Sequence, residues 1–277
     1  MADWTTAITI IGSFGAASTA QIVSHVLTNR REKKKHKREC LQNLYSPVVF
    51  TIVDYIEAEY KKVKDTEIFK GFEREGDDIK ESTYKDIFLI PNPIFEKIIE
   101  SVGENLKYAH PSLIMLYEEN KSIPIDMTED MEDYSYVLFK RIQMCRELLL
   151  EFIKISRDLD ALSKTIQERF QVPLFFTEFY LLLQDCNYYV LAETSAIYLS
   201  LIKEILLPEN NFLNRIGDIR KEISRVIETT VYRDEEVFTD ANHFLHELID
   251  EFSRVNNLNE WEKAQINSLK AELMLKK

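Results

Sequence analysis

Apolar side chains recur every three or four residues along most of this chain, and the longest such pattern begins at Leu138. Its members are Leu138, Ile142, Cys145, Leu149, Phe152, Ile155, Leu159, Leu162, Ile166 and Phe170. This spacing places apolar side chains on one face of an α-helix and predicts a helix over residues 138–170. The 277 residues include only 6 glycines and 7 prolines, too few for the many tight turns of a β-sandwich or barrel. The sequence therefore predicts an all-α protein.

Prolines and further amphipathic patterns divide the rest of the chain. Ser46 and Pro47 fit an N-cap and a first-turn proline, and so predict the start of a new helix. A second long helix, apolar on almost every side, is predicted between Pro173 and Pro208, as is typical of the central member of a bundle. Three amphipathic patterns predict helices over residues 211–229, 239–256 and 259–276. The first has the heptad spacing of a coiled coil, formed by Ile216, Ile219, Ile223 and Val226. An antiparallel helical bundle over residues 46–277 accommodates all of these helices.

Residues 5–28 form a run of 24 without Asp, Glu, Lys or Arg. At about 1.5 Å per residue, a helix of this length crosses a hydrocarbon core of roughly 30 Å. Basic side chains follow this run immediately, and such charges favour the cytoplasmic side of a membrane. A cleaved signal peptide has its basic residues before the apolar segment, so this run does not fit one. We therefore expect residues 1–29 to be a single-pass transmembrane anchor in the cell membrane, with the body on the cytoplasmic side. The polar side chains within the run also fit a buried helix of a soluble protein, which stays open as an alternative.

A basic juxtamembrane segment, residues 30–45, is expected next. Its cations are Arg30, Arg31, Lys33, Lys34, Lys35, Lys37 and Arg38, which with two acidic residues give residues 30–39 a net charge of +5. The chain carries −12 in total, so the remainder carries −17. Such an acidic body repels phosphate backbones and disfavours general nucleic-acid binding. Contact with anionic lipid head groups accounts best for the basic segment.

Arg31 and His36 have an R-x4-H spacing that resembles the motif of HEPN-type helical ribonucleases. The resemblance covers these two residues and would imply ribonuclease activity on a helical fold. Here the pair lies in the basic segment, whereas that motif lies within a late helix of the bundle. Head-group contact therefore remains the preferred interpretation, and we assign no family.

Small side chains recur every four residues within the expected anchor, at Gly12, Ala16, Ala20 and Ser24. A ridge of small residues lets a second helix approach closely. This spacing predicts association with another copy of the chain or with the helix of a partner protein.

Two polar clusters are candidate sites in the body. Glu178, Asp185 and Glu193 are seven and eight residues apart, so one continuous helix would place them on one stripe. If the stripe faces the bundle interior, its buried carboxylates need cations, a metal or bound protons. If it faces solvent, it is an ordinary helix surface. Asp240, His243, His246 and Glu247 carry the side chains that bind divalent metals. Their spacing matches no zinc or di-iron helix motif, so we expect neither cluster to hold a metal or cofactor.

The leading functional hypothesis is non-enzymatic: a membrane-tethered helical module that binds a protein partner or forms a homo-oligomer. By type, such a chain fits a bacterial stress or phage-related sensor or effector. One alternative is a metal-dependent hydrolase that uses the His243 to Glu247 region. A second alternative is an effector that permeabilises membranes.

Overall fold

A computed structural model describes residues 27–75, 90–124, 134–206, 211–229, 235–256 and 258–275. Within these ranges the regular elements are helices and there is no strand, so the predicted all-α helical bundle is confirmed. No helix in this part of the chain is both long enough and apolar enough to cross a membrane. Nearly all of the expected anchor lies outside the described residues, including Gly12, Ala16, Ala20 and Ser24.

The first two helices form one continuous rod. Helix α1, residues 27–40, passes through a π-helical turn, Leu41–Tyr45, directly into α2, Ser46–Glu75. An α-helix does begin at Ser46, but the predicted N-cap is wrong: Ser46 has helical backbone angles and its N–H bonds to the carbonyl of Leu41, so the helical rod continues through it. Pro47 explains the wider turn: it has no N–H, and in an α-helix its ring would crowd the carbonyl of Asn43.

The remaining elements follow in chain order. They are α3 (Asn92–Glu104), a 3₁₀ turn (Leu106–Tyr108), α4 (Pro111–Lys121), α5 (Tyr134–Asp158), α6 (Lys164–Asp185), α7 (Tyr189–Thr194), a second 3₁₀ turn (Ser195–Tyr198), α8 (Leu199–Leu206), α9 (Phe212–Thr229), α10 (Glu235–Arg254) and α11 (Glu260–Leu275). The last three lie where the amphipathic patterns predict helices.

The two longest predicted helices have different boundaries in the structure. The helix predicted over residues 138–170 ends at Asp158, because Asp160 adopts a left-handed conformation with φ of 53°. Ser163 then caps α6 by accepting a hydrogen bond from the N–H of Ile166. Pro173 lies inside α6 instead of starting a helix, since buried side chains surround it and stabilise the helix despite one lost backbone hydrogen bond.

Helix α6 is the central helix of the bundle, and every residue from Pro173 to Leu183 is buried. It runs antiparallel to α5, because Phe152 meets Phe170 at 5.0 Å between ring centroids while the earlier Arg146 meets the later Glu178. Helix α5 also packs against α4.

The heptad stripe of α9 packs within the fold. Ile216 and Ile223 are fully buried, Val226 is 5% exposed, and Ile219 packs against the same core. These side chains are therefore occupied inside the molecule and do not form an exposed coiled-coil surface.

Candidate functional site

A basic helix projects from the body. Every residue from 27 to 36 is exposed, and we name this segment the stalk. At about 1.5 Å per residue the stalk is about 15 Å long. Lys37 and Cys40 join it to the body: the Lys37 ammonium pairs with the carboxylate of Asp158 at the end of α5, and the side chain of Cys40 is only 5% exposed.

The cations lie on one side of α1. At about 100° per residue they cover an arc of about 200°, and Glu32, His36 and Glu39 occupy the opposite side. Lys37 is held by Asp158, and Lys35 lies 3.9 Å from Glu39. The other five cations form no ion pair with the described part of the chain; they are Arg30, Arg31, Lys33, Lys34 and Arg38. This arrangement suits a broad anionic surface.

The predicted acidic stripe is divided between two helices. Glu178 and Asp185 lie on α6, whereas Glu193 is exposed on the separate helix α7. The single stripe is therefore wrong, because the chain turns after α6 through Asn187, which has a left-handed φ of 62°.

Arginines from two other helices neutralise the two carboxylates on α6. Arg146 of α5 donates from Nε to Glu178 Oε1 at 2.7 Å, and Arg220 of α9 donates from Nη1 to Glu178 Oε2 at 2.6 Å. Arg220 Nε also donates to Asp185 Oδ2 at 2.9 Å. The Glu178 side chain is 3% exposed and that of Arg220 is 11% exposed. Burial raises the pKa of Asp185, although the positive charge of Arg220 acts in the opposite direction. Two arginines thus supply the positive charge that these carboxylates need in the interior of the bundle.

A second buried network joins α2 to α5. Glu59 is 1% exposed, accepts a hydrogen bond from the Tyr134 hydroxyl, and lies 2.7 Å from the ammonium of Lys62. That ammonium lies 3.4 Å from the centroid of the Tyr134 ring. Burial alone would raise the pKa of Glu59, but the charge and hydrogen bond of Lys62 bring it below its usual value. Beside this network Arg141, 4% exposed, donates to Asn92 Oδ1 at 2.7 Å.

We did not identify this second network from the sequence. A signal was present, because Glu59 follows Ile52 and Ile56 at helical spacing on the apolar stripe of α2. A carboxylate in such a position is expected to be buried, with Lys62 one turn later as its partner.

The candidate metal ligands of α10 are not gathered into one site. Glu247 accepts two hydrogen bonds from Arg215, both at 2.7 Å, and these lower its pKa. His243 and Asp240 are exposed, and His246 is half-buried. Within the described ranges, no group of three or more His, Cys, Asp or Glu side chains has the arrangement of a metal site.

No known protein family, curated protein or solved structure matches this chain.

Proposed function

We propose that this protein is a membrane-tethered helical module that binds a protein partner or a second copy of itself. Residues 5–28 are the tether, and the body, residues 46–277, lies on the cytoplasmic side of the cell membrane. The observation that carries the proposal is the stalk, an exposed helix that continues into the body and has its cations on one side. Four of these cations form no ion pair with the described part of the chain: Arg30, Arg31, Lys33 and Lys34.

The charges of the stalk suit the cytoplasmic leaflet. A Lys or Arg near an anionic leaflet contributes about 1 kcal/mol, and the attraction decays within a Debye length of about 8 Å at physiological ionic strength. Beyond the tether the stalk continues over residues 29–36, about 12 Å, so its first turn lies within that distance and the acidic body lies beyond it. The opposite charges of stalk and body are thus compatible with one orientation at the membrane.

The polar groups of the body favour a non-enzymatic module. In the Glu178 network, arginines of two neighbouring helices pair with the buried carboxylate. Glu59 pairs with Lys62 of its own helix and accepts a hydrogen bond from Tyr134 of α5, so both networks cross-link the bundle. The hydrolase alternative would need Glu247 as a ligand or base, and Arg215 already holds both oxygens of that carboxylate.

Membrane fractionation of the full chain tests the tether. We expect the protein to remain with membranes through an alkaline carbonate wash. A matched variant, Ala16→Asp, should be released, because a carboxylate at the centre of a span costs about 2.5 to 3.5 kcal/mol. Complete extraction of the unaltered chain would refute the tether.

Chemical crosslinking in membranes tests self-association. Ala16→Leu adds a bulky side chain to the small-residue ridge while preserving its apolar character, so we expect a lower yield of crosslinked oligomers. Ser18→Leu, on the opposite side of a helix from the ridge, is the matched control. Equal yields from both variants would place the association surface on the body.

A further inference from the structure

The π-helical turn Leu41–Tyr45 lies where the stalk meets the body. Its N–H to carbonyl bond from Ser46 to Leu41 spans five residues, one more than an α-helical bond. The residues before this turn are therefore displaced by one position from an uninterrupted α-helix. One position corresponds to a rotation of about 100° and a translation of about 1.5 Å.

Two contacts define the register of α1, that is, which of its residues face the body. After a shift of one residue, the neighbouring residues can form equivalent contacts. The contacts are the ion pair of Lys37 with Asp158 and the burial of Cys40. Closing the π turn into an α turn would bring Arg38 to the place of Lys37, which preserves a cation beside Asp158. The same shift brings Leu41 to the place of Cys40, which preserves an apolar side chain in the core.

We infer that Leu41–Tyr45 is a register switch, which turns the basic face of the stalk by about 100° relative to the body. In the π register Lys37 pairs with Asp158 and Cys40 is buried; in the α register Arg38 and Leu41 take those places. A ligand of the basic face that binds one register more strongly shifts the population toward it. This joint between stalk and body is independent of what the stalk binds.

The π register is the major one for two reasons. Pro47 disfavours an uninterrupted α-helix, because its ring would crowd the carbonyl of Asn43. In the α register the polar Gln42 would also take the half-buried place of Leu41. The α register is then a minor state, for which populations of roughly 0.1–10% are typical.

Cys40 reports the register in the full chain. Its side chain is 5% exposed in the π register, and in the α register it moves to the place of Glu39, whose side chain is 42% exposed. Cys145 is fully buried in α5, beside Glu59 and Arg141, and reports unfolding of the body. The experiment measures alkylation of Cys40 and Cys145 by iodoacetamide, by mass spectrometry, in a Cys186→Ser background.

Two variants should change the rate at Cys40 in opposite directions. Pro47 is exposed, and Pro47→Ala removes the obstacle to the α register, so we expect alkylation of Cys40 to rise about tenfold or more while Cys145 is unchanged. Deleting the exposed Gln42 in the Pro47→Ala chain removes the additional residue. An unbroken α-helix then keeps Lys37 and Cys40 in their present places, and the rate should fall to the level of the unaltered chain or below. Unchanged alkylation of Cys40 in Pro47→Ala would overturn the inference.

If Pro47→Ala also raises alkylation of Cys145, alkylation no longer separates a register shift from unfolding of the body. Crosslinking then provides the test. In a chain without its native cysteines, Asp158→Cys is combined with Lys37→Cys or with Arg38→Cys, and a short bifunctional thiol reagent is added. We expect both pairs to form crosslinks, with the share of the Arg38→Cys pair rising in the Pro47→Ala chain. Crosslinks confined to the Lys37→Cys pair in both chains would overturn the register switch.

Discussion

Replacing Arg220 with leucine should destabilise the bundle more than any single change to a surface ion pair. Arg220 supplies the guanidinium that joins α9 to Glu178 and Asp185 of α6, at 2.6 Å and 2.9 Å. Its removal leaves Glu178 paired with Arg146 and takes from Asp185 the ion pair that it forms within the described part of the chain, at a site where the Glu178 side chain is 3% exposed. Breaking a buried ion pair by removing one partner costs about 3–5 kcal/mol. That is a large fraction of a total stability of about 5–15 kcal/mol.

Urea denaturation followed by circular dichroism measures the loss. With a slope of about 3 kcal/mol per molar urea, the midpoint should fall by about 1 to 1.7 M. Arg215→Leu is the matched control, because it breaks a bidentate pair with Glu247 in which both side chains are about 40% exposed. Exposed pairs contribute about 0–1 kcal/mol. An equal midpoint in the two variants would refute the buried, stabilising role assigned to the Arg220 network.

Three further measurements test the fold. Burial raises the pKa of Asp185, so the contribution of Asp185 to the free energy of unfolding falls as the pH rises from 3.8 through the raised value. In urea titrations, the stability of the unaltered chain minus that of Asp185→Asn should therefore fall across this pH window. A difference that stays constant with pH would contradict the raised pKa. Ile223→Ala should lower the free energy of unfolding by about 2–5 kcal/mol, because Ile223 is fully buried. Ile227 is 60% exposed, so Ile227→Ala should change that free energy by no more than about 0.5 kcal/mol. Equal losses in the two variants would mean that α9 presents a different face to the core. Tyr134→Phe removes the hydrogen bond to the buried Glu59 and should cost about 1–3 kcal/mol in thermal or urea unfolding, and an unchanged midpoint would count against that bond.

The positions of α9, α10 and α11 could be predicted because the signal for a helix is local. The spacing of Ile216, Ile219 and Ile223 within one stretch of chain defines both a helix and its buried face. The exposure of Arg30 to Arg38 was predictable on the same grounds, because so many like charges within nine residues cannot be buried together.

Helix interruptions were harder to predict from local sequence. Pro47 and Pro173 were both interpreted as helix starts, yet each lies within a continuous helical segment. At Pro47 a wider π turn accommodates the ring, and at Pro173 the surrounding core stabilises the helix. Conversely, the apolar pattern of Leu159 and Leu162 continues smoothly across a real break.

The sequence by itself determined the all-α class, the faces of the amphipathic helices and the exposed basic stalk, because each follows from the spacing of side chains along a few turns. Only the tertiary structure decided what the buried charges do. Arg146 and Arg220 are 32 and 42 residues from Glu178, and neither separation leaves a periodic trace in the sequence. Packing of α5 and α9 against α6 brings the three together at Glu178, and in the interior each charge is stable only because the others are within hydrogen-bonding distance.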